Sequence, residues 1–211
     1  MRDISPLAVV SKSAVIAEGV EIGPFAVIED GVEIGANVMI RAQAYICSGT
    51  SIGENTQVHM GACLGDLPQD LGFDKNKKTY VKIGKNTVIR EHATIHRATA
   101  EGSATVVGDN CYLMAVSHVG HDCHVGNNVI IANGALLAGH VSVGDYAFIS
   151  GNVVVHQFCR IGTVSMIGGF TGINKDVPPY MLVRGPSVVR GINAVGLRRL
   201  KFSREAIRGI R

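Results

Sequence analysis

Every sixth position of this chain is aliphatic. From Ile4 the series runs Val10, Ile16, Ile22, Ile28, Ile34, Ile40, Ile46, Ile52, Val58 and Leu64 without a miss. It slips out of phase across residues 65–82, resumes at Ile83, Ile89 and Ile95, passes over Glu101, and runs from Val107 to Ile173. Gly often follows the aliphatic residue, as in IGPFAV, IGANVM, IGKNTV and VGDYAF, and a small residue or Val stands four after it. Gly and Asn accept turn conformations that other residues resist. Each hexapeptide therefore reads as a short strand plus a corner, and coils of such units stack as a parallel β-helix. Helical hairpins would need apolar spacings of three and four, which are absent.

The breaks in the pattern are informative. The polar stretch GDLPQDLGFDKNKKTYVK (65–82) should loop out of a coil, and AEGSAT (100–105) should form a smaller bulge that keeps phase. Long insertions in a rigid solenoid usually carry function. Pro178 and Pro179 are expected to end strand pairing. The segments that follow, GINAVGLRRL and FSREAIRGIR, have helical composition, with Ser203 as an N-cap. The expected division is a β-helix over 1–178 with a loop insertion at 65–82, then a short helical segment over 179–211.

Composition agrees with a narrow aliphatic core: 26 Gly, no Trp and 5% aromatic residues. The net charge of +3 gives no case for nucleic acid. From Arg184 to Arg211, however, Glu205 is the one acid among eight basic residues. That surface suits phosphates or an acidic partner protein as readily as solvent. Five cysteines without a CxxC pair fit a reducing compartment. With no signal-like N-terminus and no apolar run near ~18 residues, the expectation is a cytoplasmic protein without membrane insertion.

Residues 18 apart should stack on successive coils of three hexapeptides. His121 then lies beneath Gly139, Gly139 beneath Gln157, and Asp122 beneath His140. One corner would carry an imidazole, a carboxylate, a second imidazole and a glycine backbone. A corner built for stability alone would use Asn, Gly or Asp.

The segments HVGHDCHVGN (118–127), ANGALLAGHVSV (132–143), HQFCRIG (156–162), NKDVPPY (174–180) and FSREAI (202–207), with TIHRAT (94–99) and GDLPQDL (65–71), resemble the UDP-N-acetylglucosamine 3-O-acyltransferases in order and spacing. The resemblance covers essentially the whole chain and implies a left-handed β-helix and a homotrimer. It implies transfer of an (R)-3-hydroxyacyl group from acyl carrier protein to the 3-hydroxyl of UDP-N-acetylglucosamine, the first step of lipid A synthesis. It makes His121 the general base, Asp122 its orienting partner and Gly139 the oxyanion donor, with no cofactor, metal or covalent nucleophile. An imidazole of ordinary pKa about 6.5 suits that task. It places Gln69, Asp70, His118, His140, His156 and Gln157 at donor or sugar-nucleotide contacts, Asn193 and Arg199 near the nucleotide phosphates, and Gly169 where an acyl-length ruler stands. Where the family often has Lys two residues after the loop Asp, this chain has Gly72. The family's helical C-terminal domain is also longer than 179–211.

Three other readings compete. A zinc enzyme resembling the γ-class carbonic anhydrases would use His96, His118 and His121, and a plain scaffold would use none of these residues. The later N-acyltransferase of the same pathway carries an extra domain before its β-helix, whereas here the repeat begins at Ile4.

Overall fold

The computed structural model describes residues 3–210. Strands of mostly two residues, separated by two-residue corners, form three sheets of eleven, nine and eight strands, parallel except for the last strand of the first. Sheet 1 starts at Asp3–Ile4, sheet 2 at Val9–Val10 and sheet 3 at Val15–Ile16. Successive strands visit sheets 1, 2 and 3 in turn, so each coil is a triangle. This is the parallel β-helix expected from the hexapeptides, left-handed as the family resemblance implies.

In each strand pair the second residue points inward. Ile28, Ile40, Ile46, Ile89, Ile95, Leu113, Ile131, Leu137 and Ile149 are fully buried. Burying such a side chain contributes about 1.5–3 kcal/mol, so stability accumulates coil by coil. The inward slot two residues earlier is too narrow for a long chain and takes Ala, Val, Ser, Thr or Cys, including Cys111, Cys123 and Cys159. All five thiols are free.

Register locates the insertions. Stacked partners are normally 18 apart, as in Ile4↔Ile22 and Leu113↔Ile131. Across the first break they are 31 apart (Ile52↔Ile83, Leu64↔Ile95), which is 13 extra residues. Those are residues 67–79, between strands Cys63–Asp66 and Tyr80–Ile83. The excursion is shorter than the 65–82 read from sequence, because its ends pair in sheets. Thirteen is two hexapeptides plus one, hence the slip in phase. Across the second break partners are 24 apart (Ile83↔Val107, Thr94↔His118), an excess of one hexapeptide, hence the kept phase. Both insertions leave the prism between a sheet 2 strand and a sheet 3 strand, from the same edge.

The prolines do not stop strand pairing. Val177 bridges to Ile161, and Met181–Val183 adds to sheet 1 beside Met166–Ile167. Pro178 and Pro179 occupy the corner between, where no ladder N–H is needed. Growth ends with Val189–Ile192, which pairs antiparallel and so turns the chain back. This strand takes residues expected to be helical. Two short helices follow, α1 (Ala194–Arg199) and α2 (Arg204–Gly209), and Ser203 caps α2 by accepting from the Ala206 N–H.

Candidate active site

The edge between sheets 2 and 3 carries the chemistry. His118 opens a sheet 2 strand, His121 and Asp122 form the corner, and His124 opens the next strand. Asp122 sits in the left-handed region at φ 58°, as does His140 one coil above at φ 61°. The expected stacking is present: the His140 N–H donates to the His121 carbonyl at 2.9 Å, and the Phe158 N–H to the Gly139 carbonyl at 3.1 Å.

His121 Nδ1 lies 2.8 Å from Asp122 Oδ2, and these side chains are 17% and 12% exposed. Burial tends to raise the Asp122 carboxyl. Hydrogen bonds from His121 and from the Thr99 N–H and hydroxyl, with His140 nearby, outweigh it and hold the group below its ordinary value. A carboxylate can only accept, so Nδ1 must carry the hydrogen in the neutral ring. The lone pair is then on Nε2. That nitrogen has no hydrogen-bond partner among the described residues and lies against Gly139. A Cβ built at position 139 would fall 2.6 Å from Nε2 and 2.4 Å from Cε1, so only glycine leaves room for the ring. The Gly139 N–H likewise has no acceptor among the described residues. A free base and a free backbone donor therefore stand side by side.

Two supports were not read from sequence. Thr99, which binds Asp122 through its N–H (3.0 Å) and hydroxyl (2.8 Å), lies in the six-residue bulge. Thr105 accepts the Asp122 N–H at 2.8 Å. The bulge at Glu101 was the visible signal, but what it delivers depends on a contact across 23 residues. Its base is also tied to the longer loop, since the Lys78 N–H donates to Glu101.

His118 and His140 flank the pair. Burial, with His96 and His121 close by, pushes the His118 imidazole down to about 4, and its Nδ1 pairs with the Thr94 hydroxyl at 2.8 Å. His140 lies edge-on to His121 with centroids 5.2 Å apart, and its Nε2 is 3.6 Å from Asp122 Oδ2. His156 and Gln157 are exposed one coil higher. The other expected contacts are separate from this cluster. Gln69 and Asp70 are exposed in the loop, where Asp70 accepts the Gly72 N–H. Gly169 is exposed on the edge between sheets 1 and 2. Arg199 is exposed at the end of α1, and Arg211 lies outside the described residues. Asn193 is buried and spent on structure: it caps α1 through Gly196 and donates to the Val164 carbonyl at 2.7 Å.

His121, Asp122 and His140 could also grip a metal ion, since their ligand atoms lie within 4.8 Å of one another. The 2.8 Å contact and the three Thr99 bonds are nevertheless those of a hydrogen-bonded His–Asp pair. Among the described residues, His96, His118 and His121 form no such group. A groove of about 770 Å³ lies elsewhere, on the outer face of sheet 3 between His124, Arg160 and Asp176. The Arg160–Asp176 ion pair occupies its polar end.

The fold defines the class: a hexapeptide-repeat transferase built as a left-handed β-helix. The bacterial transferase hexapeptide model matches residues 13–48, 31–66 and 104–139, and the model described as UDP-N-acetylglucosamine O-acyltransferase, domain 2, matches 176–211. The acyl-[acyl-carrier-protein]–UDP-N-acetylglucosamine O-acyltransferase of Halorhodospira halophila is 49% identical over the whole chain and 82% of its own length. The solved UDP-N-acetylglucosamine acyltransferase of Francisella novicida superposes with a TM-score of 0.96 at 43% identity, covering 98% of this chain and 76% of that one. The corresponding Campylobacter jejuni structure gives 0.93 at 40%, covering 98% and 81%. The chain belongs to the acyl-[acyl-carrier-protein]–UDP-N-acetylglucosamine O-acyltransferase family.

Proposed function

We propose that the chain transfers a 3-hydroxyacyl group from acyl carrier protein to the 3-hydroxyl of UDP-N-acetylglucosamine, opening lipid A synthesis in the cytoplasm. The observation that carries this reading is the His121–Asp122 pair with its unpartnered Nε2 beside the Gly139 N–H. Nε2 takes the hydroxyl proton as the sugar oxygen attacks the thioester carbonyl. The Gly139 N–H stabilises the oxyanion, a contribution of about 2.7–4 kcal/mol for one such donor. Collapse expels the carrier thiolate, which recovers the proton from His121. Asp122 stays ionised and holds the imidazolium, and no step needs a metal.

Homotrimer formation is supported by the outer faces. The outward residues of sheet 1 include Val88, Tyr112, Ile130, Phe148 and Met166, and those of sheet 2 include Val9, Tyr45, Leu136 and Val154. Sheet 3 shows Glu33, Ser51, Lys82, His124, Ser142 and Arg160. The edge between the two apolar faces exposes Leu7, Phe25, Met60, Val116 and Phe170. Two sticky faces meeting at a sticky edge, with a third face polar, suit three-fold packing. In such a trimer His121 borders the neighbour's sheet 1, and the 67–79 loop reaches that neighbour.

Within this reading Gln69, Asp70, His118, His156 and Gln157 line the substrates. Arg199 meets a phosphate or the acidic carrier, and Gly169 leaves the acyl groove open for a longer chain. The test is acyl transfer from 3-hydroxyacyl carrier proteins of graded length to UDP-N-acetylglucosamine and to its 3-amino analogue, read by mass spectrometry. Turnover with the 3-hydroxyl sugar, favouring long donors, is expected. Activity with neither sugar rules the reading out, and a preference for short donors unchanged by Gly169→Met removes Gly169 from it.

A further inference from the structure

We propose that Phe158 is a positioning residue for this reaction: its ring fixes the His140 imidazole against Asp122 and edge-on to His121, so that two histidines share one carboxylate. The proposal rests on the acyl-transfer reading and deepens it.

Phe158 carries a ring, as Phe25, Tyr146 and Phe170 do on other edges, at a position whose backbone does not favour one. It occupies the left-handed corner slot at φ 67°, which Asn or Gly fill with less strain. Its side chain contributes nothing to the core, since the residue is 63% exposed. Neither backbone preference nor burial accounts for an aromatic ring there.

Its one aromatic neighbour does. The Phe158 and His140 rings are stacked, with centroids 4.7 Å apart and planes 13° from parallel. His140 is itself 37% exposed on its side chain and would otherwise rotate freely on the outside of the corner. With one face on Phe158, its edge points inward: Nε2 stands 3.6 Å from Asp122 Oδ2, and the ring meets His121 at 89°. Asp122, His140 and Phe158 fill the same slot on three successive coils, 18 residues apart, so coil stacking sets their backbone positions one above another. When His121 takes a proton, the carboxylate already has His121 on one side and His140 within 3.6 Å on the other, and neither ring has to reorient.

The experiment pairs three variants with one substrate-free measurement. Phe158→Asn should lower kcat about tenfold to a hundredfold, as a displaced catalytic group does. The KM of either substrate should stay within about twofold, as when only transition-state interactions are lost. Its melting temperature should hold or rise, because Asn suits the left-handed slot. Phe158→Tyr, which keeps the stack, should restore turnover. In a His140→Ala background Phe158→Asn should cost nothing more, because its effect runs through His140. In the free enzyme the His140 ring-proton resonances should move when the stack is lost.

Unmoved His140 resonances, or losses that add in the double variant, overturn the proposal. So does a rise in KM without a fall in kcat, which would make Phe158 a substrate contact. The resonance measurement needs no substrate. A failure of the acyl-transfer reading therefore shows separately, as wild-type inactivity toward both sugars.

Discussion

Two edges of the prism use one backbone slot for opposite ends. Along the edge between sheets 3 and 1, the left-handed corner position holds Asn37, Asn55, Asn86, Asn110 and Asn128, all near φ 55°, before Tyr146 and Val164 take it on the last coils. Their side chains form a ladder, with Asn37 donating to Asn55, Asn55 to Asn86 and Asn86 to Asn110 at 3.2–3.3 Å. Along the edge between sheets 2 and 3, the same slot on the upper coils holds Asp122, His140 and Phe158. Asn is the residue this conformation tolerates best after Gly, so the Asn run of the first edge is chosen for the fold. The second accepts strain to line up titratable side chains, the usual sign of function.

The largest effect should come from placing a methyl group on the second edge. Gly139→Ala puts a Cβ inside the His121 ring position and must displace it. We expect kcat to fall about 10²–10⁴-fold, the range for losing general-base catalysis, and His121→Ala to fall as far. Both variants should keep the wild-type circular dichroism spectrum, since neither touches the buried aliphatic ladder. Near-normal steady-state turnover in either would remove His121 from the mechanism.

Asp122→Asn converts one position of the chemical edge into the residue of the ladder edge. The left-handed conformation is kept, and the charge that fixes the His121 tautomer is lost. We expect kcat lowered by about 10²-fold, the lower end of the acid–base range, with the melting temperature little changed. A loss of fold with no separate loss of turnover per folded molecule would show that Asp122 serves structure first.

The contrast between edges was partly visible in the sequence. The six-residue period fixes which residues point inward, and 18-residue stacking placed His121 under Gly139 and Asp122 under His140. Both insertions were legible, the first as a phase change and the second as a lost aliphatic at Glu101, because 13 extra residues shift the period and six do not. What escaped were contacts set by the path of the chain between coils. Thr99 reaches Asp122 only because the bulge folds back, and the Phe158 stack needs a side-chain orientation that periodicity does not carry. Asn193 looked like a ligand residue from its motif, yet its amide is consumed in capping α1. The prolines at 178–179 suggested an end to pairing, but they fall at a corner where an absent N–H costs nothing.

Acid should also separate the edges. The His118 imidazole is depressed to about 4 in the folded chain against an ordinary 6.5. The unfolded chain therefore binds the extra proton first, and stability falls as pH drops from 6.5 toward 4, by at most roughly 3 kcal/mol. Asp122 acts in a later window. Its lowered carboxyl stabilises the fold above the ordinary carboxylate range, and that contribution is lost as pH falls through its depressed value. Urea denaturation from pH 7 to 4 should show the first loss in the wild type and not in His118→Gln. An equal slope in both proteins would mean that His118 is solvated.

The smallest effect belongs to the ladder, and it tests whether that edge is built for the fold alone. Asn86 accepts from Asn55, donates to Asn110 and sits at φ 53°. Asn86→Ala loses both bonds and keeps a Cβ in the left-handed region, costing about 1–2 kcal/mol for the conformation. The lost hydrogen bonds add roughly 1 kcal/mol, because the site is exposed and water replaces them. Asn86→Gly loses the same bonds without the steric penalty and should fall between the wild type and Asn86→Ala. Both variants should leave kcat and KM unchanged, since the ladder runs along a different edge from His121. Denaturant midpoints ordered wild type, Gly, Ala with constant turnover would confirm the division between edges. A change in kcat would show that strain at one corner passes through the coil to the other.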